Sequence, residues 1–158
     1  MAIVVWPTEA DIGGGGRGQV LSENYFQRMM QGFCRGASGG YGFVISGLGY
    51  VNFGGLDYRI STGYAVVLGH FVYVDAITPL TLVNNASNYV RLLVSATSVA
   101  PGYRVTDASI GVSQSPTTFT GGPYYIPLSK LVCSGGVVTS AVSYAPTLNT
   151  NITTPTWS

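Results

Sequence analysis

Residues 61–75 read STGYAVVLGHFVYVD. Two apolar runs, Ala65-Val66-Val67-Leu68 and Phe71-Val72-Tyr73-Val74, flank Gly69-His70. Short runs of β-branched and aromatic residues bounded by Gly are strand formers. Gly at the first of two central positions suits a type II′ turn. The stretch therefore predicts a β-hairpin with Gly69-His70 at its tip. It also puts His70, the only histidine in the chain, on an exposed turn, where water solvates the imidazole and no partner is built for it. A metal site there needs further His, Cys or carboxylate ligands at ligand spacing, and the sequence supplies none. The expectation is a turn residue, with neither metal nor cofactor.

The same period of two runs outward from this hairpin. Tyr41–Ser46 and Tyr50–Phe53 flank Gly47-Leu48-Gly49. Leu56, Tyr58 and Ile60 alternate with Asp57 and Arg59, which sets the two charges together on the face opposite the apolar row. Further strands are predicted at 79–83, 88–96, 109–113, 126–133 and 137–143, with Gly135-Gly136 as a second hairpin turn of the same kind. After Tyr144 the alternation stops, and the Pro, Thr and Asn rich segment APTLNTNITTPTWS predicts an extended tail over 145–158. The fold class is mainly β: an antiparallel β-sandwich or barrel-like domain over 41–144.

The first forty residues read differently. Ile3-Val4-Val5-Trp6 is a short apolar run stopped by Pro7, and Gly13-Gly14-Gly15-Gly16-Arg17-Gly18 follows. A phosphate-binding loop needs Lys and then Ser or Thr after its last Gly, whereas this one continues Gln19-Val20, so the run is a linker. Ser22 is a suitable N-cap and Glu23 complements the helix dipole. Tyr25, Phe26, Met29, Met30, Phe33 and Cys34 then recur on one broad face up to Arg35-Gly36. A short amphipathic helix cannot hide such a stripe by itself. Phe26, Met29, Met30 and Phe33, with Trp6, are the candidate oligomer and docking residues, and segment 1–40 is expected to serve assembly.

Composition bounds the function. The 158 residues suit one domain, and charged residues make up only 8% of them, against about 25% in average usage. The 22 Gly and 11 Tyr are over-used, and mean hydropathy is +0.32. So few charges predict a surface wetted by hydroxyls and amides and partly buried against other subunits. A net charge of +1, with its cations scattered, gives no footprint for nucleic acid. The run at 65–74 is too short to span a bilayer, so no membrane insertion is expected. The N-terminus lacks the pattern of a secretory signal, which predicts folding in the cytosol. There Cys34 and Cys133 are expected as free buried thiols and the sequons at Asn85 and Asn151 carry no meaning.

Nothing selects a catalytic constellation. The carboxylates are Glu9, Asp11, Glu23, Asp57, Asp75 and Asp107, and no spacing singles out a pair for glycoside hydrolysis. Asp57 reads as a same-face partner of Arg59, and Asp107 as a turn residue. No G-x-S-x-G elbow occurs, so the chain is not expected to be an enzyme. Tyrosines at 50, 58, 64, 103, 124 and 125 could form a platform for sugar rings, but their use as strand formers and interface fillers outweighs that reading.

The order of segments carries a resemblance. GFVISGLGYVNFGGLDYRISTGYAVVLGHFVYVD, then PLTLVNNASNYVRLLVSA, then YYIPLSKLVCSGGVVTS look like the β domain of tail-fibre and baseplate proteins of tailed bacteriophages. The matching positions are Gly47-Leu48, Ser61–Ala65, Gly69, Asn88–Leu92 and Ile126–Val132, within residues 41–143. The chain departs from longer fibre proteins in ending soon after the β domain. The resemblance implies a virion structural protein, assembled in the host bacterial cytoplasm as a homotrimer and docked to other tail, baseplate or neck proteins. A module that binds host-surface glycan is the alternative.

Overall fold

The computed structural model describes residues 3–6, 42–99, 102–116 and 124–147. The linker at 13–18, the helix with Phe26, Met29, Met30 and Phe33, Cys34 and the tail from 148 onward lie outside the described residues. In chain order the strands are β1 (Ile3–Trp6), β2 (Gly42–Gly47), β3 (Tyr50–Asn52), β4 (Tyr58–Ile60), β5 (Gly63–Val67), β6 (His70–Val74), β7 (Thr78–Pro79), β8 (Ser87–Val99), β9 (Gly102–Ser113), β10 (Tyr124–Ser134) and β11 (Val137–Ser143). The described residues are mainly β, with antiparallel sheets in the orders β1-β6-β5-β2, β3-β4-β7 and β11-β10-β8-β9.

The first two sheets are one bent meander. β2 pairs with β5 as far as Gly47↔Gly63, and pairing resumes beyond the corner at Tyr50↔Ile60 between β3 and β4. β6 follows β5 before the corner, and β7 follows β4 after it. Hydrogen bonds from Leu48 N to Thr62 O (3.2 Å) and from Ser61 N to Gly49 O (2.8 Å) hold the two bent strands together through the corner. Gly47 and Leu48 both have positive φ, 70° and 59°. A Cβ on Gly63 would meet the Ser46 carbonyl and stand 2.6 Å from Leu48 N, so the backbones approach too closely for any side chain there.

The hairpin at 61–75 forms with a turn one residue earlier than the sequence suggested. Val67 pairs with His70, which leaves Leu68-Gly69 as the two-residue loop. Both have positive φ, 53° and 85°, the signature of type I′ rather than type II′. Gly135-Gly136, at 60° and 80°, likewise forms a type I′ loop between Ser134 and Val137. The strand expected at 79–83 shrinks to Thr78–Pro79, because Pro79 has no N–H for a ladder. Asp107 is a strand residue of β9 and not a turn residue.

Bulges set which residues face inward. In β10 the register shifts between Pro127 and Ser129, leaving Leu128 as the extra residue. Ile126 and Leu128 before the shift, and Leu131 and Cys133 after it, are all buried, although they fall on opposite parities. In β2 the shift between Val44 and Ser46 leaves Ile45 as the extra residue, and Ile45 is 49% exposed. One core cluster draws on all three sheets, including Leu48, Tyr58, Ile60, Val72, Leu92 and Ile126. On the opposite face of the β1-β6-β5-β2 sheet, Phe43, Val66 and Phe71 form a second, smaller apolar cluster. Trp6 occupies the same rung by register, opposite Phe71.

Asn88, fully buried, ties the third sheet to its loops. Its amide nitrogen donates to the Val83 carbonyl at 2.9 Å and its oxygen accepts from Val83 N at 2.9 Å. The Gln114 amide nitrogen also donates to that oxygen, at 3.1 Å. Asn84 and Asn85 accept from Gly136 N (3.0 Å) and Gly135 N (3.1 Å), clasping the β10–β11 turn. Asn85 sits at φ 55°, a conformation that Asn tolerates better than most residues, so it serves the turn.

The corner yields a direct test by thermal unfolding. Gly63→Ala is expected to destabilise the fold by about 1–3 kcal/mol, since the backbones must part to admit a methyl group. Gly49→Ala, whose Cβ meets nothing within 4 Å, is expected to stay within about 0.5 kcal/mol of the parent.

Candidate functional site

His70 is not the exposed turn residue that the sequence suggested. It opens β6 on the core-facing side, alternating with Val72 and Val74, and is 1% exposed. The one-residue difference in turn position is the cause, because a slip of one exchanges the faces of a strand. His70 is thus a core side chain at the end of the sheet. Among the described residues no three His, Cys, Asp or Glu side chains are grouped to hold a metal ion.

The remaining reactive groups are dispersed. Arg59 donates to both carboxylate oxygens of Asp57, at 2.9 and 2.8 Å, as the shared strand face suggested. That hydrogen bonding holds the Asp57 carboxyl below its ordinary range against a smaller opposing effect of burial. The Arg59 guanidinium also lies 4.2 Å from the Phe53 ring centroid. Asp107 accepts from Ala108 N at 2.8 Å. Cys133 is a free, buried thiol as expected. Burial pushes its pKa up, partly opposed by the Asn88 amide 3.3 Å from Sγ, so it is poorly suited to nucleophilic attack.

What the fold does assemble is an open cleft on the sheet β11-β10-β8-β9. Core positions of β8 are Asn88, Val90, Leu92 and Val94, so Tyr89 and Arg91 face the other way. β10 lies beside them, pairing Lys130 with Tyr89 and Pro127 with Arg91. Pro116, just after β9, and Tyr144, just after β11, stand on either side, and Tyr125 completes the aromatic lining of a cleft of about 490 Å³. Two central strands make the floor and the segments after the two edge strands make the walls.

The electrostatics follow from this crossing. The Arg91 guanidinium lies 4.3 Å from the Tyr125 ring centroid and donates to the Pro116 carbonyl. Arg91 is only 4% exposed, and burial lowers its pKa while the neighbouring Tyr125 and Tyr89 act the other way. The Lys130 ammonium sits 5.5 Å from the Tyr89 ring centroid. Both contacts are cation–π pairs, stronger where water is excluded. Among the described residues the cleft offers two cations and three phenol rings, and none that line it is acidic.

The sequence singled out only part of this. Of the six tyrosines considered for a sugar platform, Tyr125 lines the cleft and Tyr64 is exposed, whereas Tyr58 is buried in the core. Tyr50 packs on Tyr58 and donates to the Ala141 carbonyl at 3.2 Å. The side chain of Tyr103 lies outside the described residues. Trp6 is placed in β1, and Phe26, Met29, Met30 and Phe33 lie outside the described residues. Tyr89, Arg91, Lys130 and Tyr144 carried no signal in sequence, because they meet only through strand pairing across about forty residues.

Unfolding experiments separate the structural side chains from the others. His70→Ala is expected to cost about 1–3 kcal/mol, the range for emptying a buried position. Arg91→Ala is expected to cost a similar amount, about 1–3 kcal/mol, through lost packing on Tyr125 and the lost bond to Pro116. Lys130→Gln is expected to stay within about 0.5 kcal/mol of the parent.

The chain matches no model of a known protein family and no curated protein.

Proposed function

We propose that this chain is a structural subunit of a tailed-bacteriophage virion. It is a β-sandwich component of a tail fibre or baseplate that works as a homotrimer and docks to other virion proteins. The observation that carries this reading is the apolar surface. Among the described residues eight large hydrophobic side chains, including Ile45, Phe53, Tyr64 and Ile77, are 44–56% exposed, in a chain with only 8% charged residues. Such surfaces support burial against other subunits. The sheet β1-β6-β5-β2 has apolar residues on both faces, as sheets covered on both sides do. The order of strand and turn segments, similar to phage fibre and baseplate domains, supplies the rest.

A second reading, a glycan-binding module, is favoured by the aromatic and cationic cleft at Tyr89, Arg91, Tyr125, Lys130 and Tyr144. Aromatic faces suit the apolar faces of sugar rings and the polar groups set orientation.

Light scattering on the purified chain is expected to give the mass of a trimer with little free monomer, and immunogold electron microscopy is expected to place it on phage tails. Phe26→Asp and Met30→Asp are expected to release folded monomers, because each would bury a lone charge at the contact. Gln27→Asp is the control. A monomeric parent that is absent from virions would overturn the structural reading.

A further inference from the structure

We infer that the cleft across β8 and β10 takes an acidic saccharide, its carboxylates held by Arg91 and Lys130 and its rings against Tyr144, Pro116 and Pro127. This rests on the glycan-binding reading and assigns that site its ligand class.

The charge distribution is the first argument. The chain has seven basic and six acidic residues. Two of the basic ones, Arg91 and the chain's single lysine, Lys130, line this cleft, and among the described residues no acidic one does. In a chain of net charge +1, this is a local excess of positive charge on a surface otherwise poor in charge.

The placement of the two cations is the second. Lys130 lies opposite Tyr89 and Arg91 opposite Pro127, so the cations are diagonal neighbours on adjacent strands, about 7–8 Å apart at the backbone. Two carboxylates on successive sugar rings suit that interval. Arg91 is held by Tyr125 and Pro116, so its guanidinium is oriented before any ligand arrives and loses little freedom on binding. Its burial strengthens attraction for an incoming anion relative to bulk water. Lys130, half-buried over Tyr89, supplies a second and more mobile charge.

The walls argue for a sugar over other anions. Tyr144 is 56% exposed and, with Pro116 and Pro127, offers apolar area that a bare inorganic anion would not use. The volume of about 490 Å³ suits a small ligand, whereas nucleic acid needs a longer track of cations than two. The cleft lies on the face of a sheet between its central strands, so an acidic peptide has no free strand edge to pair with.

The test is calorimetric titration of the full chain with a short oligogalacturonate and with its methyl ester, which keeps the rings and removes the charge. The acid is expected to bind about tenfold tighter than the ester, or more. Added salt should weaken the acid alone. Lys130→Gln should reduce the preference for the acid, Lys130→Arg should restore it, and Tyr144→Ala should weaken both ligands. Thermal melts confirm that each variant is folded. Equal binding of acid and ester overturns the acidic-ligand inference while the glycan reading stands. Binding of neither overturns both. Equally tight competition by inorganic phosphate or by a poly-glutamate peptide overturns the saccharide assignment, and a Lys130→Gln variant that binds unchanged overturns the site.

Discussion

The contact between the Gly47 and Gly63 backbones is the constraint on which the rest of the structure depends. A straight hairpin over 42–67 would carry β3 and β4 away from the core. At the corner Gly47 and Leu48 take left-handed conformations, and the ladder changes direction without losing its bonds to Thr62 and Ser61. A non-Gly residue in that conformation costs about 1–2 kcal/mol. Full burial of a leucine contributes about 1.5–3 kcal/mol, and Leu48 is almost wholly buried in the main cluster. Burial therefore offsets the strain at Leu48, and by the same reasoning at Leu68 in the next turn. The bend then places Tyr58 and Ile60 in the same buried cluster as Leu92 and Ile126 of the third sheet, so one core serves all three.

A second constraint connects this core to the cleft. Without the extra residue Leu128, either Ile126 and Leu128 or Leu131 and Cys133 would face outward. Misplacing two such side chains forfeits about 3–6 kcal/mol, a large share of the roughly 5–15 kcal/mol that holds a domain folded. The bulge is therefore dictated by the apolar pattern of IPLSKLVC. The same shift of parity carries Lys130 to the outer face opposite Tyr89. Core packing in β10 thus positions a cation of the site, and the two cannot be altered independently.

Much of the fold was legible because it is local. Alternation and turn residues located most strands of the β region, and the shared face of Asp57 and Arg59 predicted their ion pair. The errors came where one residue decides. Gly69-His70 and Leu68-Gly69 are both acceptable hairpin tips from sequence, yet only the second puts Val67 and His70 opposite each other with both facing the core. His70 changed from exposed to buried on that single step. The buried hub at Asn88 was hidden for another reason: its partners at Val83, Gln114 and Cys133 are brought together by three separate elements. The cleft was illegible on the same ground, since a cation–π pair such as Arg91 on Tyr125 depends on a cross-strand register that the sequence does not encode locally.

The apolar surface and the cleft are not independent either. Ile45 and Tyr64 lie on β2 and β5, in a different sheet from Tyr89 and Arg91, so a subunit packed there leaves the cleft open. Val142 pairs with Lys130 across β10 and β11 and is 44% exposed. Cross-strand partners share a face, so Val142 stands on the cleft side of the sheet, close to Tyr144. A neighbour that buried Val142 and Tyr144 would therefore also restrict access to Lys130, and it would have to satisfy a cation at a contact that is otherwise apolar. That requirement disfavours the β11 side as a packing surface and favours the sheet that exposes Ile45 and Tyr64. The charge at Lys130 thus divides the molecule into a face suited to packing and a face suited to staying open.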